Sequence, residues 1–180
     1  GNNTALLGSN FFANSNPNLS CIQVDDADYS DLNWVNIDDQ SYYSVTACPC
    51  LVYIPDVNFK TYLVNNAAIN TNLDGEIQCT EAAAFSGGII CSSLNITDLT
   101  GIEHFTSIVS LRCFNNNLSS LDVTQNIALH QIRCYQNQLN SLDVTQNTLL
   151  TYLSCDNNNL DSINVTNNTA LTYLSCRNNS

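Results

Sequence analysis

Between positions 70 and 81, oxygen-bearing side chains recur at alternate positions as Asn70, Asn72, Asp74, Glu76 and Gln78, and the run closes on Glu81. This spacing matches a 12-residue EF-hand-type calcium loop: side-chain oxygens ring the ion, Gly75 supplies the sharp turn, and Glu81 binds through both carboxylate oxygens. Ile77 would pin such a loop to a core. Asparagine stands at two ligand positions where aspartate is usual, which lowers the negative charge and suits a weak extracellular structural Ca2+ site. The same Asn, Asp and Gly residues also build metal-free turns, because their side chains bond nearby backbone. A second set of residues is suited to binding: Arg112, Phe114, Arg133, Tyr135, Tyr152, Tyr173 and Arg177. Arginine and aromatic side chains are enriched at interaction hot spots, and aromatic rings also suit sugars. Signals for catalysis are missing. The chain has two histidines, His104 and His130, and no nucleophile elbow, phosphate loop or histidine metal cluster.

The second set depends on a repeat for its placement. Cysteine falls at 113, 134, 155 and 176, each inside the frame Leu/Ile-x-Cys-x-x-Asn, and Cys91 stands 22 residues before the first of them. A period of this length predicts stacked coils, each burying its apolar edge against its neighbours. Leu, Ile and Cys would alternate inward along a short strand, leaving the arginines and aromatics on the outward face. Asn116, Asn137, Asn158 and Asn179 would turn inward and hydrogen-bond the backbone of the next coil. The segments 121–126, 142–147 and 163–168 repeat too. They predict an extended or turn-like convex side, since 21 residues leave no room for a full helix. In the coil containing Cys91, Leu94 replaces the asparagine, as expected where a coil lies against a cap.

Upstream, residues 54–64 read as a short helix with Pro55 near its start and Phe59, Leu63 and Val64 on one face, and residues 80–85 as a second. Residues 51–88 therefore predict an N-terminal helical cap carrying the EF-hand-like loop, followed by about five coils over 89–180. Residues 1–50 differ. A weakened frame from Phe11 to Leu19, a strand near Cys21 and an irregular acidic stretch, 25–40, with the single Trp34 predict the closing coil and flank of another repeat array. Four cysteines, Cys21, Cys48, Cys50 and Cys79, lie outside the register and allow three pairings. Cys21–Cys48 is preferred because it closes a segment poor in apolar residues, which leaves Cys50–Cys79. The five in register are expected to stay unpaired as small buried hydrophobes.

The composition restricts the partners. Sixteen acidic and four basic residues give a net charge of −12, which argues against nucleic acid and anionic lipid. No apolar run approaches the roughly 20 residues of a membrane span. The frame L-x-x-L-x-C-x-x-N-x-L resembles that of bacterial surface and secreted leucine-rich-repeat proteins, and residues 52–180 resemble those with an internalin-like capped start. The 21-residue cysteine form with its Leu-Asp-Val-Thr convex motif is similar to versions from Bacteroidetes-type bacteria. The resemblance implies a secreted or cell-surface location and adhesion to a protein or glycan through the concave strand face. The alternative is structural: the frame is interrupted at Ser180, so a last coil with an open edge could join head to tail with another chain.

Overall fold

In a computed structural model of the chain, which describes residues 11–16, 21–24, 27–38, 41–44, 46 and 48–180, the cysteine period becomes a parallel sheet. The chain divides into two units, Gly1–Cys50 and Leu51–Ser180. Among the described residues no helix is long and apolar enough to cross a membrane.

In the second unit the strands β3 (Gly88–Ile90), β4 (Ser110–Arg112), β5 (Gln131–Arg133), β6 (Tyr152–Ser154) and β7 (Tyr173–Ser175) pair in chain order. The register Ile89↔Leu111↔Ile132↔Leu153↔Leu174 advances by one repeat at each step. Equivalent side chains therefore lie directly beside one another. Ile89, Leu111, Ile132 and Leu153, with Cys91, Cys113, Cys134 and Cys155, are fully buried. Leu118, Leu129, Val123 and their counterparts one repeat on fill the coil interior from the other sides. The convex side has no long helix. Its turns are closed by a short acceptor: Asp122 Oδ1 accepts from the backbone N and hydroxyl of Thr124, and Asp143 and Asn164 serve Thr145 and Thr166 in the same way.

The asparagine column reaches backward along the stack. Asn137 Nδ2 donates to Cys134 O of its own coil and Cys113 O of the preceding one, and its Oδ1 accepts from Leu118 N. Asn116, Asn158 and Asn179 repeat the pattern. This direction explains Leu94. The first coil's free groups, Cys91 O and the N–H groups of Leu94 and Ile96, are already served by Asn116. The residue before each of these asparagines, Asn115, Gln136, Asn157 or Asn178, adopts a left-handed conformation (φ 53 to 55°) that carries the chain out of the strand.

Ahead of the sheet, α2 spans Val57–Val64 and α3 spans Cys79–Ala84. The first starts later than its sequence predicts, because Asp56 caps it and leaves Pro55 outside. Asp56 Oδ1 accepts from Asn58 N (2.9 Å) and Phe59 N (3.0 Å). Its Oδ2 accepts from the N and Oγ1 of Thr97, which ties the helix start to the first coil. Burial pulls the Asp56 carboxyl upward, but the bonds from Thr97, Phe59 and Asn58 outweigh it and the group titrates below the ordinary aspartate value. Gly101 sits at φ 104°, where a Cβ would meet Ile54 Cγ1 at 2.9 Å and Tyr53 O at 3.0 Å.

The first unit pairs β1 (Cys21–Gln23) with β2 (Tyr42–Ser44) in parallel, with α1 (Ala27–Asn33) in between. The stretch expected to be irregular thus contains a helix, which ends just before Trp34 and lets that ring turn inward. Trp34 is 2% exposed, stacks on Phe11 at 4.9 Å and packs edge-on against Tyr43 and Tyr29. Cys21 and Cys48 form a disulfide with Cα atoms 5.6 Å apart. Cys50 and Cys79 are each disulfide-bonded as well. Leu19, in the weakened frame, lies outside the described residues.

Candidate functional site: the outward sheet face

The parallel register sorts the outward side chains into three columns. Ser110, Gln131, Tyr152 and Tyr173 form the first, and Arg112, Arg133, Ser154 and Ser175 the second. Phe114, Tyr135, Asp156 and Arg177 follow the cysteines as the third. The aromatic residues change column halfway along. Phe114 and Tyr135 stack in the third column (4.5 Å, 6° between planes), and Tyr152 and Tyr173 stack in the first (4.2 Å, 4°). Arg133 bridges the change diagonally, with its guanidinium 4.7 Å from the centre of the Tyr152 ring. Burial and the neighbouring Tyr173 raise the Tyr152 hydroxyl pKa, an effect that Arg133 partly offsets.

Neutral side chains hold the arginines. Arg112 Nε donates to Gln131 Oε1 (3.1 Å), which also accepts from the Ser110 hydroxyl. Arg133 Nε is buried and has no hydrogen-bond partner. Among the described residues Lys60 pairs with Glu76 at 2.7 Å, whereas Arg112, Arg133 and Arg177 make no ion pair. Asp156 accepts from the hydroxyls of Ser154 and Ser175 and from Arg177 N. Burial raises its carboxyl, but these bonds outweigh it and the group titrates below the ordinary value. A groove of about 470 Å³ runs over this region, lined by Arg133, Tyr135, Tyr152, Asp156, Tyr173 and Arg177 among others. A groove of about 570 Å³ beside α2, lined by Asn58, Tyr62, Asn65 and Leu94, carries no charged side chain. All seven predicted binding residues thus share one face, but Gln131, which holds Arg112, and Asp156 with the Ser154 and Ser175 hydroxyls that bond it are not among the seven. Stepping by 21 residues from Arg112 and Phe114 finds Ser154, Ser175 and Asp156.

The predicted calcium residues form a closed turn. Asp74 accepts from the amides of Asn72 and Gln78 and from Glu76 N. Glu81 Oε1 accepts from Thr71 and Asn72, and its Oε2 from Gln78 N. Burial raises the Glu81 carboxyl, but these bonds outweigh it and hold it below the ordinary glutamate value. Glu76 is turned to Lys60. Asn70 is 2% exposed and donates to Val64 O, while its Oδ1 is buried without a partner. Among the described residues no three His, Cys, Asp or Glu side chains converge closely enough to hold a metal ion.

The five in-register cysteines are unpaired as expected, but only Cys91, Cys113, Cys134 and Cys155 are buried behind the face, and Cys176 is exposed. Burial pushes the Cys91 and Cys155 thiols up to about 12 and raises Cys113 and Cys134 as well, so these four are inert at neutral pH. They act as packing.

Sheet, asparagine column and cysteine column together define a solenoid of the leucine-rich-repeat type. No protein-family model matches the chain, and neither does any curated protein. Among solved structures, it is similar to the functional domain of InlJ from Listeria monocytogenes, which includes a cysteine ladder: 33% identity and a TM-score of 0.59 over 74% of this chain and 30% of that one. It is also similar in fold to the internalin InlF of the same organism, at 14% identity and a TM-score of 0.56 over 73% of this chain and 46% of that one. The chain therefore spans less than half of either relative.

Proposed function

We propose that the chain is a non-catalytic extracellular binding module that holds a protein or glycan partner on the concave sheet face. The observation that carries this reading is the gathering of Arg112, Arg133, Arg177 and four aromatic rings on one face of a chain with net charge −12. The disulfides favour an oxidising compartment, and with it a secreted or surface location. Residues 51–88 act as the cap of the repeats, and the first unit, with its parallel β1–β2 pair, as the closing coil of another array. The test is an array of purified extracellular protein domains and glycans probed with the chain and with Arg133→Ala/Tyr135→Ala. Loss of the wild-type hits supports the face; unchanged binding removes it.

Two further readings have their own tests. Calcium binding by the 70–81 loop is favoured by the unpartnered Asn70 Oδ1 at its first ligand position and by Glu81 at its last. The ion would need the Asn72 and Gln78 amides to turn their oxygens inward. A thermal midpoint that does not rise with added calcium defeats it. Head-to-tail self-association is the structural alternative to the binding reading. A strictly monomeric chain in sedimentation at high concentration excludes it.

A further inference from the structure

We propose that Arg112 and Arg133 form a seat for an acidic side chain of a protein partner, an inference that rests on the binding reading above. In a chain with sixteen acidic residues and four basic ones, a cation readily finds a carboxylate, as Lys60 does with Glu76. The arginines do not. Strand register sets Arg112 directly beside Arg133, on neighbouring strands about 4.8 Å apart. Two like charges are thus held together by the neutral Gln131 and the face of Tyr152, and neither is in an ion pair. Like charges directly opposite in a sheet repel, and no ion pair within the chain offsets the repulsion here. The buried Arg133 Nε adds a donor removed from water with nothing to donate to. Asp156 lines the same groove, but its hydrogen bonds go to Ser154, Ser175 and Arg177 N, and it makes no ion pair with Arg112 or Arg133. An incoming carboxylate would accept from the guanidinium fork, the geometry in which arginine binds carboxylate most strongly.

The rings favour a polypeptide over a sugar. A sugar stacks on an open ring face, but Phe114 and Tyr135 cover one face of each other, as do Tyr152 and Tyr173, and Arg133 covers the second face of Tyr152. The rings mainly present their edges outward, which suits apolar side-chain contacts around a charged anchor.

The test is fluorescence anisotropy at pH 7.5 and physiological salt with labelled acetyl-hexaglutamate amide, alongside hexaglutamine and hexagalacturonate. Hexaglutamate should bind and hexaglutamine should not. Arg133→Gln and Arg112→Gln should each weaken binding about tenfold, and Lys60→Gln should leave it unchanged. Arg112→Gln should also keep or raise the thermal midpoint, since it relieves like-charge repulsion; a drop would mean that the pair is structural and would overturn the seat. Absent hexaglutamate binding, or binding indifferent to Arg133→Gln, also overturns it. Tighter binding of hexagalacturonate replaces the polypeptide with an acidic glycan. If hexaglutamate fails while array hits still depend on Arg133 and Tyr135, the seat falls and the binding face stands.

Discussion

In the unit Gly1–Cys50, the described core is a small cluster of Val24, Trp34 and Tyr43, and Cys21 is joined covalently to Cys48 beside it. In the unit Leu51–Ser180, five cysteines stand one per coil and none is joined to its neighbour, although adjacent strands lie within disulfide reach. The difference follows from what else holds each unit. Among its described residues the first has few buried apolar side chains to offset the entropy of folding, so a cross-link that restricts the unfolded chain matters greatly. The second has a continuous apolar interior and an asparagine column that ties every coil to the one before it. Its thiols project side by side, and Cys134 and Cys155 lie within weak hydrogen-bonding distance of Ser154 O and Ser175 O. Where cohesion repeats, cysteine serves as filler; where it does not, cysteine serves as a staple.

Asn137→Asp tests the asparagine side of this contrast most severely. It replaces a donating amide with a carboxylate facing the Cys113 and Cys134 carbonyls, and should cost roughly 3–5 kcal/mol at pH 7 in urea unfolding followed by far-UV circular dichroism. A loss below about 1 kcal/mol would remove the column from the account. Next in size, Cys21→Ser/Cys48→Ser opens a cross-link of sequence separation 27 and should cost about 3.5 kcal/mol. Trp34, the sole tryptophan and buried in that unit, reports the loss by emission; the sheet signal in far-UV dichroism should persist. Cys134→Ala should cost only about 1–2 kcal/mol, since it removes one small buried group and no bond of consequence; a larger value would mean that the thiols are more than filler.

The smallest effect is on pH. Asp56 and Asp156 titrate lower in the folded chain than their ordinary 3.8, so the folded state binds fewer protons in acid. Their contribution is complete above the unfolded value and is lost as pH falls through the folded values. Unfolding midpoints measured between pH 5 and pH 2 should fall, less steeply in Asp56→Asn. An equal slope in that variant would remove Asp56 from the acid limb.

The sequence makes the solenoid legible because its information is periodic: Cys113, Asn116 and Leu118 recur at a fixed step, and a fixed step in a parallel sheet leaves one arrangement of neighbours. The same step places Arg112, Arg133, Tyr152 and Tyr173 on one face. It sets Tyr152 beside Tyr173 within one column, but it does not show that Arg133 would lie across Tyr152, because that contact runs diagonally between columns. A second asparagine column, Asn126, Asn147 and Asn168, was visible as part of the convex motif, yet its role was not. These side chains donate inward to backbone carbonyls of the preceding coil, while each Oδ1 stays buried without a partner. Only the backward direction of the bonds explains it, as it explains Leu94. Helix α1 escaped notice because seven residues carry too few apolar positions to display a helical period.

The one-repeat register also makes the sheet face a printed grid with a fixed pitch. The interior letters, Leu, Cys and Asn, are the paper; the three outward columns are the ink. Rewriting one outward residue changes one square and leaves the coil it stands on intact. Inserting a whole 21-residue coil between β5 and β6 would move Arg133 away from Tyr152 by one line, about 4.8 Å, without disturbing a single interior bond type. A surface of this kind can change what it matches by gaining or losing lines as well as by altering letters.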